Sequence, residues 1–315
     1  MGNGSESAGT IAVMNVAAHC PVCDSLELKT LGPILHPRPA LVAGVQLDLG
    51  DVKYRLVGCS RCGFQFKDPP IPAELLMDCY RRADSGNWEV DPDPRWRKFD
   101  VLKDILERFS PGRRVLDVGC FNGALLQFLG DKWQKSGVEP SEDAVKLAES
   151  RGVQIVAPSL EQIDGSIAPF DAVMAIDVAE HVIDPLTFFR QLSAQVVKGG
   201  VLMILTGNNE SLAWRLQRGL YWYCTLPEHV SFYSRRTLDV IGERTGMRGA
   251  YYRQMCHKRM PLSRWCSDMT KCAAYLVGRP LGGLGIPALR RLFVERGGPS
   301  MQSAHDHMLY VFRKM

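Results

Sequence analysis

No stretch of this sequence reaches the roughly 18 consecutive apolar residues that a membrane span needs. The richest, Ala273 to Val294, is interrupted by Arg279, Pro280, Pro287, Arg290 and Arg291. The N-terminus has no basic segment followed by an apolar core, so no secretory signal is expected. Met1-Gly2 opens the chain, but Glu6 stands where N-acylation wants Ser or Thr. A strong charge of either sign is also missing: 38 Lys and Arg against 34 Asp and Glu leave +4. With 46% hydrophobic and 23% charged residues, the composition excludes a disordered, collagen-like or coiled-coil chain. No internal repeat is visible. A chain of 315 residues can bury a large core without disulfides. The expectation is a cytoplasmic protein of about two units, preceded by a disordered leader over residues 1–17.

The charge is unevenly placed. From Arg253 to the C-terminus, 11 Lys and Arg face 3 Asp and Glu. Such a basic tail suits a phosphate-bearing acceptor, the surface of an anionic membrane or nucleic acid, unless it is simply a solvated face.

Six of the ten cysteines are scattered, but Cys20-Pro-Val-Cys23 and Cys59-Ser-Arg-Cys62 form two C-x-x-C turns. Each turn lets two thiolates converge on one ion, and two turns close a tetrahedral site. Gly63 suits the tight turn after Cys62. Alternation over Val45–Leu49 and Tyr54–Val57 predicts strands between the knuckles. Residues 18–70 therefore read as a zinc ribbon, with Cys20, Cys23, Cys59 and Cys62 as ligands; a redox pair or unrelated buried thiols are the alternatives. Four thiolates leave no open coordination position, so this zinc is structural. His19 is a bystander.

Residues 71–110 read as a helical connector, with Tyr80 and Trp88 as lid candidates. From residue 111 strands and helices alternate, the mark of an α/β fold with a mostly parallel sheet. Strands are predicted at Arg114–Val118, Gln134–Val138, Val153–Val156, Ala172–Ile176 and Val201–Leu205. Helices are predicted at Ala124–Leu129, Glu142–Ser150, Pro185–Gln195 and Arg236–Thr245. His307–Phe312 reads as a late strand returning to the sheet. The Rossmann-like domain thus spans 111–257 and 305–315, with a basic helical insertion over 258–304.

The first strand runs into Asp117-Val-Gly119-Cys120-Phe121-Asn-Gly123. A dinucleotide turn needs a second glycine for the pyrophosphate, and Phe121 occupies that position. The D-x-G-x-x-x-G spacing fits S-adenosylmethionine (SAM), which has no pyrophosphate. Twenty residues after Gly119, Glu139 ends the second strand, where an acid can accept both ribose hydroxyls.

Together with Phe170-Asp171, Asp177-Val-Ala-Glu180-His181-Val-Ile-Asp184-Pro185, Lys198-Gly-Gly200 and Leu226-Pro-Glu228-His229-Val-Ser-Phe-Tyr, these residues resemble the class I SAM-dependent methyltransferases. The likeness is to bacterial members with an N-terminal four-cysteine zinc ribbon, and covers about residues 19–257 plus the last strand. It implies methylation of a sugar, glycan or natural product. It also implies cofactor binding by Asp117, Gly119, Cys120, Gly123, Glu139, Pro140, Ser159 and Asp177. Ser159 stands where the family often has an adenine-binding acid. The C-methyltransferases of this group usually carry a further C-terminal domain, which this chain is too short to hold. O-methylation is therefore preferred over C-methylation of a nucleotide-linked ketosugar.

A hydroxyl acceptor must lose its proton to a positioned base. His229, with Glu228 beside it, is the first candidate, read as an imidazole titrating near its ordinary value of about 6.5. His181 is the second. Each could instead fill a polar gap, and Tyr221-Trp222-Tyr223 could wall an acceptor or pack in the core. The rival readings are an RNA methyltransferase and a non-catalytic SAM-binding module. The Asn/Asp-Pro-Pro-aromatic loop of amino-directed base methyltransferases is missing, and intact Gly119, Gly123 and Glu139 argue against loss of the cofactor.

Overall fold

The computed structural model describes residues 17–82, 97–256, 261–284, 286–291, 293, 299 and 305–315. The leader before Ala17 and the lid candidate Trp88 lie outside them.

The chain begins with β1 (Leu28–Pro33), a small hairpin of β2 (Ala40–Val42) and β3 (Val45–Leu47), then β4 (Arg55–Cys59) and β5 (Gln65–Asp68). β3 pairs with β2 and not with β4, so the two alternating segments read from the sequence belong to different sheets. Helices α1 (Ala73–Arg82) and α2 (Arg97–Phe109) follow. Then come β6 (Arg114–Val118), α3 (Ala124–Leu129), β7 (Gln134–Val138), α4 (Glu142–Ser150), β8 (Gln154–Ala157) and β9 (Phe170–Ile176). The second half holds α5 (Pro185–Ala194), β10 (Val196–Gly207), α6 (Leu212–Gln217), α7 (Trp222–Thr225), β11 (Ser231–Phe232) and α8 (Arg235–Arg244). It closes with β12 (Met247–Met255), α9 (Leu262–Gly278), α10 (Pro287–Arg290) and β13 (His307–Lys314).

Seven strands form the main sheet in the order β12-β13-β10-β9-β6-β7-β8. The five from β10 to β8 are parallel, and β13 runs antiparallel to both β10 and β12. This is the Rossmann-like α/β architecture expected. Strand β12 was not expected: its buried pattern is confined to its two ends, as befits an edge strand, so no clean alternation marks it. The order reverses between β6 and β9, and ligands bind such sheets outside the strand carboxyl ends at that reversal.

Local sequence explains the helix starts around that opening. Asp184 accepts the Thr187 N–H (3.0 Å) with Pro185 in the first turn, and Ser234 forms a capping box with Thr237.

The ribbon is less separate than its sequence suggests. Its sheet, β1-β4-β5-β11, takes its last strand from the segment just after Glu228-His229. Cys20, Cys59, Cys62 and Phe64 share one apolar core with Val173, Phe189, Ile204 and Phe312 of the main sheet and its helices.

Candidate functional site

The four ribbon thiols converge. Cys20 and Cys62 Sγ lie 3.6 Å apart, as do Cys23 and Cys59, and all four sulfurs fall within 4.8 Å of one another. A tetrahedral ion bound at about 2.3 Å spaces its sulfurs about 3.8 Å apart, so the set fits zinc. A disulfide would need about 2.05 Å, and all four cysteines are free. The Val22 N–H points at Cys20 Sγ (3.4 Å), as amides do toward thiolates. The hydrogen bond from Cys62 is the largest influence pulling the Cys20 thiol down, to about 5. Gly63 turns at φ 80°, and a Cβ there would strike Ser234 Oγ of the α8 cap. The Cys62 carbonyl also accepts the Thr237 hydroxyl (3.1 Å).

The glycine turn after β6 is tied to β7. Gly119 N–H donates to the Val138 carbonyl (2.9 Å). Glu139 accepts the Phe121 N–H (2.9 Å) on one oxygen and the Ser141 N–H (3.0 Å) on the other. A carboxylate has about four acceptor positions, so two remain for a diol. Phe121 (φ 49°) and Asp177 (φ 57°) hold left-handed backbone at the ends of β6 and β9. Non-glycine residues persist there only where neighbours over-determine them, and such sites cluster at ligand clefts.

Asp117 is buried on β6, and its Oδ1 has no hydrogen-bond partner among the described residues. Burial, then the Glu139 charge, push its carboxyl up to about 8, while Lys98 opposes the shift. Lys98, from α2, reaches across the strand ends and pairs with Asp177 at 3.1 Å. An acid with one unpaired oxygen, a diol-ready Glu139 and the Lys98 cation beside Asp177 fit an amino-acid sulfonium and its ribose. Other expected contacts are narrower. The Cys120 side chain packs against Gly137 within the core, leaving only its backbone to face the turn. Gly123 is needed for close packing, since a Cβ would meet Ala148 at 3.1 Å. Pro140 is exposed and Ser159 half-buried.

Beyond Asp177 lies a buried polar cluster. Glu180 accepts the Tyr223 hydroxyl (2.6 Å) and the Thr206 hydroxyl (2.8 Å). Burial, then the Asp177 charge, raise it to about 7. His181 sits in a short 3-10 turn with its Nδ1 against the Tyr80 hydroxyl (2.8 Å), and its ring centroid lies 4.9 Å from that of His229. His229 is buried against the Tyr223 ring, with Nδ1 3.0 Å from the Tyr223 carbonyl. A carbonyl can only accept, so Nδ1 carries the proton and Nε2 presents a lone pair.

The expectation of a His229 titrating near 6.5 is corrected by this burial. Loss of hydration, then the neighbouring His181 and Lys67, hold the imidazole well below its ordinary value. It is therefore neutral across the physiological range. Glu228 is also buried, which raises its carboxyl, and its Oε2 has no hydrogen-bond partner among the described residues. Glu180, His181 and His229 offer metal-ligand atoms within 4.8 Å of one another, but Glu180 already spends both oxygens on hydroxyls.

Sequence reasoning missed Lys98, Glu180, Lys67 and the Asp306–His307 pair (2.8 Å), whose carboxylate also takes the Tyr221 hydroxyl. Lys98 reads as one more polar position on an amphipathic helix; only its burial marks it. Tyr221 and Tyr223 are core residues with bonded hydroxyls, so they do not line an open acceptor wall.

Residues 95–250 match a family model described as a methyltransferase domain. Residues 95–250 thus form a domain of the SAM-dependent methyltransferase kind. A tRNA U34 carboxymethyltransferase of Haemophilus ducreyi is 34% identical over 129 residues, 37% of this chain and 40% of that one. The mitochondrial ubiquinone biosynthesis O-methyltransferase of Homo sapiens is 37% identical over 134 residues, 37% of this chain and 36% of that one. The matches therefore span less than half the length of these relatives. A SAM-dependent methyltransferase structure from Thermotoga maritima aligns over 72% of this chain and 97% of its own, with TM-score 0.46 and 17% identity.

Proposed function

We propose that the protein transfers a methyl group from SAM to a hydroxyl of a small molecule or glycan, with His229 as general base. The observation that carries the reading is the buried His229, whose Nδ1 proton sits on the Tyr223 carbonyl and leaves the Nε2 lone pair as the basic site. SAM, when bound, supplies an electrophilic methyl on a sulfonium. Glu139 would hold the ribose, and Asp117 with the Lys98–Asp177 pair would hold the amino-acid end. His229 Nε2 would take the hydroxyl proton as oxygen attacks, and the charge of Glu228 would act through the neighbouring His181. His181, anchored by Tyr80, would orient the acceptor.

The O-methyltransferase activity named for the human relative supports oxygen as the accepting atom. The ribbon thiols would hold one structural zinc. A tRNA substrate is the competing reading, since the Haemophilus relative is named for tRNA and the C-terminal region is basic. Incubating the purified protein with radiolabelled SAM and parallel pools of sugar nucleotides, phenolic and glycolipid acceptors, and total tRNA tests both. Label in the hydroxylic pools, lost on His229→Ala, is the expected result; label in tRNA alone would overturn the reading.

A further inference from the structure

Helix α9 buries one face and exposes a second apolar one. Asp268, Cys272, Tyr275 and Gly278 point inward. Cys272 packs in the core cluster that holds Tyr221 and Tyr223. Leu262, Trp265, Ala273 and Val277 fall on a separate stripe roughly a third of the circumference away, while Met269 between them is half-buried against the core. Leu262 is 77% exposed and Val277 76%, and Trp265 is exposed as well. Beyond the helix, Leu281, Leu284 and Ile286 are exposed as well.

The charge beside it has one sign. Between Pro261 and Arg291 there are five Lys and Arg and a single acid, Asp268. Asp268 is buried and paired with Arg264 (3.1 Å), so it offers no negative charge to a partner. Lys271, Arg279 and Arg291 are exposed.

We propose that this face is a peripheral binding surface for an anionic lipid bilayer, with α9 lying flat in the headgroup region. An apolar stripe that includes Trp, flanked by cations, is the composition that partitions into that interface. The apolar side chains enter the acyl boundary while the long basic ones reach up to lipid phosphates. A second copy fits less well, because a two-fold contact would press the same basic patch against itself. The helix is not a span: no described helix is long and apolar enough to cross a membrane.

Co-sedimentation of the full chain with vesicles tests this directly and does not depend on any methyl transfer. At about 0.15 M salt, the protein should pellet with phosphatidylglycerol-containing vesicles and stay in solution with pure phosphatidylcholine. Leu262→Ser with Val277→Ser should weaken binding at least about tenfold. Lys271→Gln with Arg291→Gln should do likewise, at about fivefold per charge. Circular dichroism and thermal melting of both variants should match the wild type. Absence of binding to anionic vesicles, or equal binding to neutral ones, would overturn the proposal. So would binding insensitive to the apolar pair, or a wild-type dimer in solution that Val277→Ser dissociates and that does not bind vesicles. Capture of tRNA that depends on Lys271 and Arg291 but not on Leu262 and Val277, without vesicle binding, would assign the patch to nucleic acid instead.

Discussion

A buried imidazole and a buried carboxyl set the behaviour of this site. His229→Ala should keep its fold and its affinity for S-adenosylhomocysteine, yet lose roughly 10²–10⁴ in turnover. His181→Ala should lose less. Because burial keeps His229 neutral, turnover should not rise through the ordinary imidazole range, and a pH–rate profile checks this. Asp117 supplies a separate pH signature. Its carboxyl, raised to about 8, holds a proton in the free protein at neutral pH, and a cationic cofactor beside it favours the carboxylate. Binding should therefore release a proton, and affinity should increase with pH until about 8. Calorimetry in buffers of different ionisation heat would reveal the proton, and Asp117→Asn should abolish it. At Glu139, replacement by Ala should cost at least about 1.5 kcal/mol of cofactor affinity, the scale of a hydrogen bond to a charged group.

Between elements, β5 acts on the loop that carries Glu228 and His229. Lys67 is almost wholly buried, and its Nζ donates to the carbonyls of Leu226 (2.5 Å) and Pro227 (3.1 Å). Its backbone N–H donates to the Val230 carbonyl (3.0 Å), and β11 then pairs with β5. Strand β5 thus brackets the two candidate catalytic residues on both sides. Lys67→Met should leave two carbonyls unpaired at a cost of about 1–3 kcal/mol. Turnover should fall more than cofactor affinity does, because Glu139 and Asp117 lie on other elements. Urea melts paired with kinetics and calorimetry would check this, and parallel losses in turnover and affinity would count against a positioning role.

Across the whole molecule, the ribbon and the main sheet share a core. Arg244 of α8 reinforces the join by donating to the Val22 carbonyl (2.6 Å) and pairing with Asp24 (2.7 Å). Purified protein should carry about one zinc per chain. Chelation should lower the midpoint of a single calorimetric transition that includes the main sheet. A separate early transition confined to the ribbon would contradict that coupling.

Much of this was legible in the chain because it depends on short-range pattern. The D-x-G-x-x-x-G turn, Glu139 at the next strand end, both C-x-x-C turns and the alternation of strand and helix are all set within about twenty residues. Each rests on backbone stereochemistry or side-chain periodicity that needs no distant partner. What only tertiary structure decided lies in pairings across long separations. Tyr80 meets His181 across 101 residues, Lys67 meets Leu226 across 159, and Lys98 meets Asp177 across 79. Burial decided the rest. His229 looked like an imidazole free to titrate, but the fold removes the water that would stabilise its charge and sets His181 and Lys67 beside it, which holds it well below its ordinary value.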